Sequence, residues 1–193
     1  MQDMKDYQKE KLTIDLVKAN VYSLLLIIPI GLIYGLPYYL IWHPKFDFKN
    51  FVSQLNLTDT IWGGFLSVVL LLGGIVAHEL IHGLTWSLFT KKGFKSIKFG
   101  ILWEMLTPYC HCQEPLKVKH YILGAITPSI VLGLIPALLA IIMGNGGMLL
   151  FGMIFTLVAS GDFLIINLVR KENMNDLVLD HPTEAGCYVY RKQ

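Results

Sequence analysis

Apolar residues dominate four stretches of the chain, at about 20–42, 60–90, 120–143 and 148–169, and polar, lysine-bearing segments separate them. A helix needs roughly 20 apolar residues to cross the hydrocarbon core of a bilayer, so each stretch is long enough for one span. The pattern predicts an all-α membrane protein with four transmembrane helices. The first span holds Pro29 and Pro37 and the third Pro128 and Pro136, which predicts kinks within membrane helices. Tyr34, Tyr38, Tyr39 and Trp42 crowd the end of the first span, as expected of an interfacial aromatic belt. Gly144-Asn145-Gly146-Gly147 predicts a tight turn between the last two spans.

The polar segments carry other periodicities. In the loop 91–119, Ile97, Phe99, Ile101 and Trp103 alternate with Lys98, Gly100, Leu102 and Glu104, a strand pattern, and Thr107-Pro108 marks a turn before Tyr109–Cys112. A small cytoplasmic β-hairpin between spans two and three is expected, with an edge that can take up a substrate peptide. Residues 1–19 mix charges, and Leu12, Leu16 and Ala19 sit at helical spacing, so this segment is either an amphipathic helix or a solvated tail. Thr58 or Asp59 can cap the second span, and Phe46, Phe48 and Phe51 suit a membrane surface. In the tail 171–193, Asp180–Glu184 is turn-like and Cys187–Tyr190 suits a short strand. The expected organisation is a cytoplasmic segment 1–19, a four-span domain 20–170 and a cytoplasmic tail 171–193.

Composition agrees. The chain is 54% hydrophobic and 16% charged, against about 25% charged in soluble domains. No separate basic domain suggests nucleic-acid binding. Of its sixteen Lys and Arg, all but Lys45 and Lys49 fall on the side of the termini and the 91–119 loop. Positive charge is retained in the cytoplasm, so both termini are expected there, in a bacterial cell membrane. Cys110, Cys112 and Cys187 are odd in number, form no disulfide framework, and are expected as free thiols.

The candidate chemistry lies inside the second span, in His78-Glu79-Leu80-Ile81-His82. Residues four apart share a helix face, so His78 and His82 can offer two imidazole nitrogens to one zinc ion. Glu79 lies about 100° round the helix, within reach of a water at the metal whose proton it can take. The bland alternative is a pair of core histidines with Glu79 as a partner. Ionisable groups in an apolar membrane segment are costly unless paired or hydrated, and they default to function. Gly74 lies on the same stripe, where a small residue leaves room for substrate or simply serves helix packing.

Depth selects a third ligand. At 1.5 Å per residue, His82, nine residues before Lys91, lies roughly 13 Å into the membrane, and Asp162, eight residues before Arg170, roughly 12 Å. Asp162 is therefore expected to join His78 and His82, with water completing a tetrahedral Zn2+ site. Cys110, His111 and Cys112 are rival ligands from the loop, but a closed site with no water would not catalyse. Glu172 and Glu184 lie outside the membrane, and His43, His120 and His181 suit loops or interfaces. His111 and Asn167 are further candidates for substrate binding or support, although a packing hydrogen bond would equally explain Asn167.

These residues resemble the site-2 protease group of intramembrane zinc proteases. They are more closely similar to a family of small bacterial membrane proteins described as putative zincin peptidases. The similarity rests on His78–Gly83, Tyr109–Pro115, Ser160-Gly161-Asp162 and the tail from Asp180 to Tyr190, and covers the chain from about Thr60 onward. It implies zinc on His78, His82 and Asp162, with Glu79 as the catalytic base. The site-2 pattern commonly has glycine where this chain has Ile81, and Asn-Pro before the aspartate where it has Ser160-Gly161. The expected activity is zinc-dependent hydrolysis of peptide bonds in a membrane or membrane-proximal protein, with that protein or peptide and the lipid bilayer as partners. The alternative is a non-catalytic metal-binding scaffold or immunity-type protein.

Overall fold

The computed structural model describes residues 7–43, 61–102, 107–182 and 184–192. The capping pair Thr58 and Asp59, the three loop phenylalanines, Lys45, Lys49, Trp103 and Glu104 lie outside them. In chain order the elements are β1 (Tyr7–Thr13), α1 (Leu16–Ile30), a π turn (Gly31–Gly35), α2 (Leu36–Trp42), α3 (Ile61–Ser87), β2 (Ile97–Leu102), β3 (Thr107–Cys112) and β4 (Leu116–Lys117). Then follow α4 (Val118–Pro128), a second π turn (Ser129–Leu134), α5 (Ile135–Met143), α6 (Gly146–Val158), α7 (Ser160–Val169), β5 (Leu177–Asp180) and β6 (Gly186–Lys192). Among the described residues, three continuous helical stretches, Lys18–Trp42, Gly63–Ser87 and Val118–Met143, are long and apolar enough to cross a membrane. The fourth apolar stretch is a pair, α6 and α7, bent by 42° at Ala159.

The prolines are absorbed within continuous helices. Pro29 and Pro128 each stand just before a π turn, and Pro37 and Pro136 open the helix that follows. Proline has no N–H and its ring pushes back the carbonyl one turn earlier. The carbonyls one turn before Pro37 and Pro136, those of Ile33 and Leu132, lie within the π turns, where i→i+5 bonding offers them another donor.

The chain falls into two compact units, and the division passes through α3 between His78 and Glu79. One unit, 21–78 with 128–160, is helical. Its outward residues are large and apolar, such as Leu24, Ile28, Ile33 and Phe65, while Ile30, Tyr34, Tyr38, Ala137, Ala140 and Leu149 form its interior. Tyr38 Oη donates to Gly144 O (2.9 Å) and Trp42 Nε1 to Ile141 O (2.9 Å). Tyr34 and Tyr38 are thus internal struts rather than members of an outer belt; Tyr39 is the exposed one. Gly144 ends α5 at φ +72°, and Asn145 caps α6 by accepting from Met148 N (2.9 Å).

The other unit, 1–20 with 79–127 and 161–193, carries two antiparallel sheets. The expected hairpin is present as β2–β3, in the register Ile97↔Cys112, Phe99↔Cys110 and Gly100↔Tyr109. A four-stranded sheet, ordered β1-β6-β5-β4, was not expected, and it makes "all-α" incomplete. Residues 7–13 form its edge strand instead of a helix or solvated tail. Pairing with β6 (Leu12↔Cys187) overrides the local helical spacing. Lys9 lies over the Tyr188 ring at 3.6 Å, and Lys11 bonds Glu184 at 2.6 Å. The strand expected at Cys187–Tyr190 is β6. The core here is Trp86, Cys112, Leu116, Val118, Tyr121, Val169, Val178, Cys187 and Val189. All three cysteines are free and buried.

Candidate metal centre

His78 and His82 occupy one face of α3, each 3% exposed, and their spacing is set by that single helix. Asp162 lies in the first turn of α7, where a carboxylate also suits the positive end of the helix. Its Oδ1 is 3.2 Å from His82 Nε2. Among the described residues, His78, His82 and Asp162 are the one group of His, Cys, Asp or Glu placed to hold a metal ion, with ligand atoms within 4.8 Å of one another.

The donor chemistry fits a cation. His82 Nδ1 lies 2.9 Å from Gly124 O, a pure acceptor, so Nδ1 carries the hydrogen and Nε2 is turned to Asp162. A lone pair and a carboxylate oxygen at 3.2 Å repel each other unless a proton or cation is shared between them. Two nitrogens and one carboxylate leave a fourth tetrahedral position open, the pattern of catalytic zinc. Zinc bonds of about 2.1 Å in a tetrahedral site put ligand atoms about 3.4 Å apart, so closing the group from 4.8 Å takes at most about 1.4 Å of side-chain movement.

The surroundings hold His82 in its plane. Trp86, one turn along α3, stacks on it with ring centres 5.0 Å apart, and Tyr121 stacks on Trp86 at 5.4 Å. Trp86 Nε1 donates to Tyr121 O (3.1 Å). Gly124 has no room for a side chain, since a Cβ would stand 2.0 Å from Trp86 Nε1. Gly83, next to His82, carries the hairpin: a Cβ there would meet Phe99 at 2.6 Å and Ile97 at 2.9 Å. Gly74 is likewise a packing residue, because the Phe155 ring fills the space above it.

Glu79 is partly buried on α3. Burial first, and then the charges of Glu79 and Asp180, push the Cys110 thiol far up, which places the Glu79 carboxylate within electrostatic reach of β3. Burial also raises Cys112 and Cys187 to about 12. Metals bind thiolates, so all three sulfurs, the loop pair and Cys187 of β6, are held in the unfavourable form.

The other candidates are engaged elsewhere. His111 packs against the Tyr109 ring at 4.4 Å, tilted by 37°, and stands outside the metal group; burial lowers its pKa against the opposing charge of Asp180. Asn167 is exposed, roughly 140° round α7 from Asp162. Glu172 takes two bonds from Arg191, and Glu184 bonds Lys11. His120 stacks on Phe89, His43 Nδ1 meets Leu40 O, and His181 Nδ1 accepts from Glu184 N. Sequence reasoning missed Trp86, Tyr121, Gly124 and Asp180. Only Trp86 left a sign, its four-residue spacing from His82.

In comparisons with known proteins, the model of the family described as "putative zincin peptidase" matches residues 71–177. That is more than half of the chain, and it takes in α3 from residue 71 on, the hairpin and α7. No curated protein and no solved structure matches.

Proposed function

Because the chain belongs to the putative zincin peptidase family, we propose that it is a membrane-embedded zinc metallopeptidase. Its substrate is the peptide backbone of a membrane or membrane-proximal protein, cut near the cytoplasmic face of a bacterial membrane. The observation that carries the reading is the meeting of Asp162, from a separate helix, with the His78–His82 face of α3.

His78, His82 and Asp162 would hold the ion. Zinc would supply Lewis acidity, polarising the scissile carbonyl and making water acidic near neutral pH. Glu79 takes the proton of the attacking water and delivers it to the leaving amine. Gly124 keeps the His82 tautomer fixed through Nδ1, so that Nε2 stays available. A helical substrate hides its carbonyls in its own hydrogen bonds, so it must unwind before attack. The β2–β3 hairpin, seated on Gly83 beside the histidines, offers a strand edge that would hold the unwound segment extended. The lysines around the 91–119 loop support a cytoplasmic placement of this end and of both termini.

Glu79→Gln separates binding from chemistry. The variant should retain zinc at the wild-type ratio and lose cleavage, read by comparing the membrane proteomes of cells carrying either form. Cleavage that survives the substitution removes Glu79 as the base.

A further inference from the structure

The carboxyl group of Asp180 lies on β5, outside the segment matched by the family model, and it accepts two hydrogen bonds from different elements. Tyr121 Oη donates to Oδ1 at 2.5 Å, and Cys112 N donates to Oδ2 at 2.8 Å. We propose that Asp180 is a positioning residue for the metal centre, acting through the ring stack Tyr121–Trp86–His82 and, at its second oxygen, on strand β3. The inference rests on reading His82 as a metal ligand.

The chain of contacts is continuous and buried. His82, Trp86 and Tyr121 are 3%, 5% and 3% exposed, and the two stacks are near parallel, with planes 15° and 11° apart. One turn of α4 supplies both carbonyls that α3 needs: Tyr121 O takes Trp86 Nε1, and Gly124 O takes His82 Nδ1. A shift of that turn would move both imidazole and indole. The tail holds the turn in place. Asp176 O accepts Val118 N (2.9 Å) and Met174 O accepts Lys119 N (3.3 Å), which satisfies the first N–H groups of α4. Asp180 then fixes Tyr121 from the side, while β5 itself is held between β4 and β6.

The same carboxylate bonds the backbone of β3 two residues beyond Cys110, the thiol that senses the Glu79 charge. Asp180 thus ties the hairpin and the metal helix to one anchor. Partners of metal-binding histidines orient the ring and commonly change metal affinity tenfold to a hundredfold. Asp180 stands two side chains further out, so the low end of that range is expected.

The test is zinc affinity of the full chain in detergent micelles, by chelator competition. Asp180→Ala and Tyr121→Phe should each weaken binding by about tenfold. The double variant should be no weaker than the worse single one, because both remove the same link. Glu172→Gln, in the same tail and off this path, should stay within about twofold of wild type. Cobalt(II) in place of zinc gives a second reading, with visible bands that shift in Asp180→Asn, which keeps the side-chain shape if Asp180→Ala does not fold. Wild-type affinity in Asp180→Ala and Asp180→Asn, or fully additive losses in the double variant, overturns the positioning role while leaving the metal site intact. A wild-type chain that binds no zinc overturns the underlying reading instead.

Discussion

His82 Nε2 and Asp162 Oδ1 stand 3.2 Å apart, brought together from α3 and α7. The Asp162 side chain is only 21% exposed, so neither partner is bathed in water. Such a pair needs a shared positive charge. Asp162→Ala should therefore raise the zinc dissociation constant by more than the tenfold to hundredfold typical of losing an outer partner. Metal content after dialysis, measured by mass spectrometry, should fall from about one ion per chain to a small fraction.

Gly124 and Gly161 make a matched pair of tests. A methyl group at Gly124 would strike the Trp86 ring at 2.0–2.1 Å, whereas nothing lies within 4 Å of one at Gly161. Gly124→Ala should cost about 1–3 kcal/mol through overpacking and weaken zinc binding, because Trp86 must leave the His82 face. Gly161→Ala should be neutral or stabilise by up to about 1 kcal/mol, since alanine is the better helix former. Unfolding in detergent, followed by circular dichroism, separates the two.

The sheet that joins the two termini should loosen in acid. The Arg191 hydrogen bonds hold Glu172 below the ordinary 4.5, and the Lys11 bond does the same for Glu184. A lowered folded pKa stabilises fully above 4.5, and that stability is lost as pH falls through the folded values. Asp180 has the opposite sign: burial raises it above 3.8, so its contribution is complete below that value and fades as pH rises. Amide exchange of β1 and β6, corrected for its intrinsic pH dependence, should accelerate below about pH 4.5. Glu172→Gln should flatten that change, since Glu172 is the less exposed of the two glutamates, at 12% against 48%.

Much of the candidate metal cluster was legible because its signals are local. His78 and His82 share one helix face, and Asp162 stands eight residues before Arg170, close to the nine that separate His82 from Lys91. The β2–β3 alternation survives in a short loop. What escaped depends on distant partners. β1 reads as a helix start until Leu12 meets Cys187 from the other end of the chain. Tyr34 and Tyr38 carry an interfacial composition, yet Tyr38 turns inward to Gly144 and Tyr34 is buried beside it. The bend at Ala159 has no proline to announce it, only the Ser160-Gly161 pair that follows, a weaker kink signal. Asp180 looks like a turn residue, and its partners Tyr121 and Cys112 are visible only in three dimensions.

X-ray absorption at the zinc edge of the purified wild-type chain tests the metal assignment most directly. The account predicts one zinc per chain with only nitrogen and oxygen neighbours at about 2.0–2.2 Å, two of them imidazole. Sulfur neighbours at about 2.3 Å would hand the ion to the loop cysteines and contradict the site built on His78, His82 and Asp162.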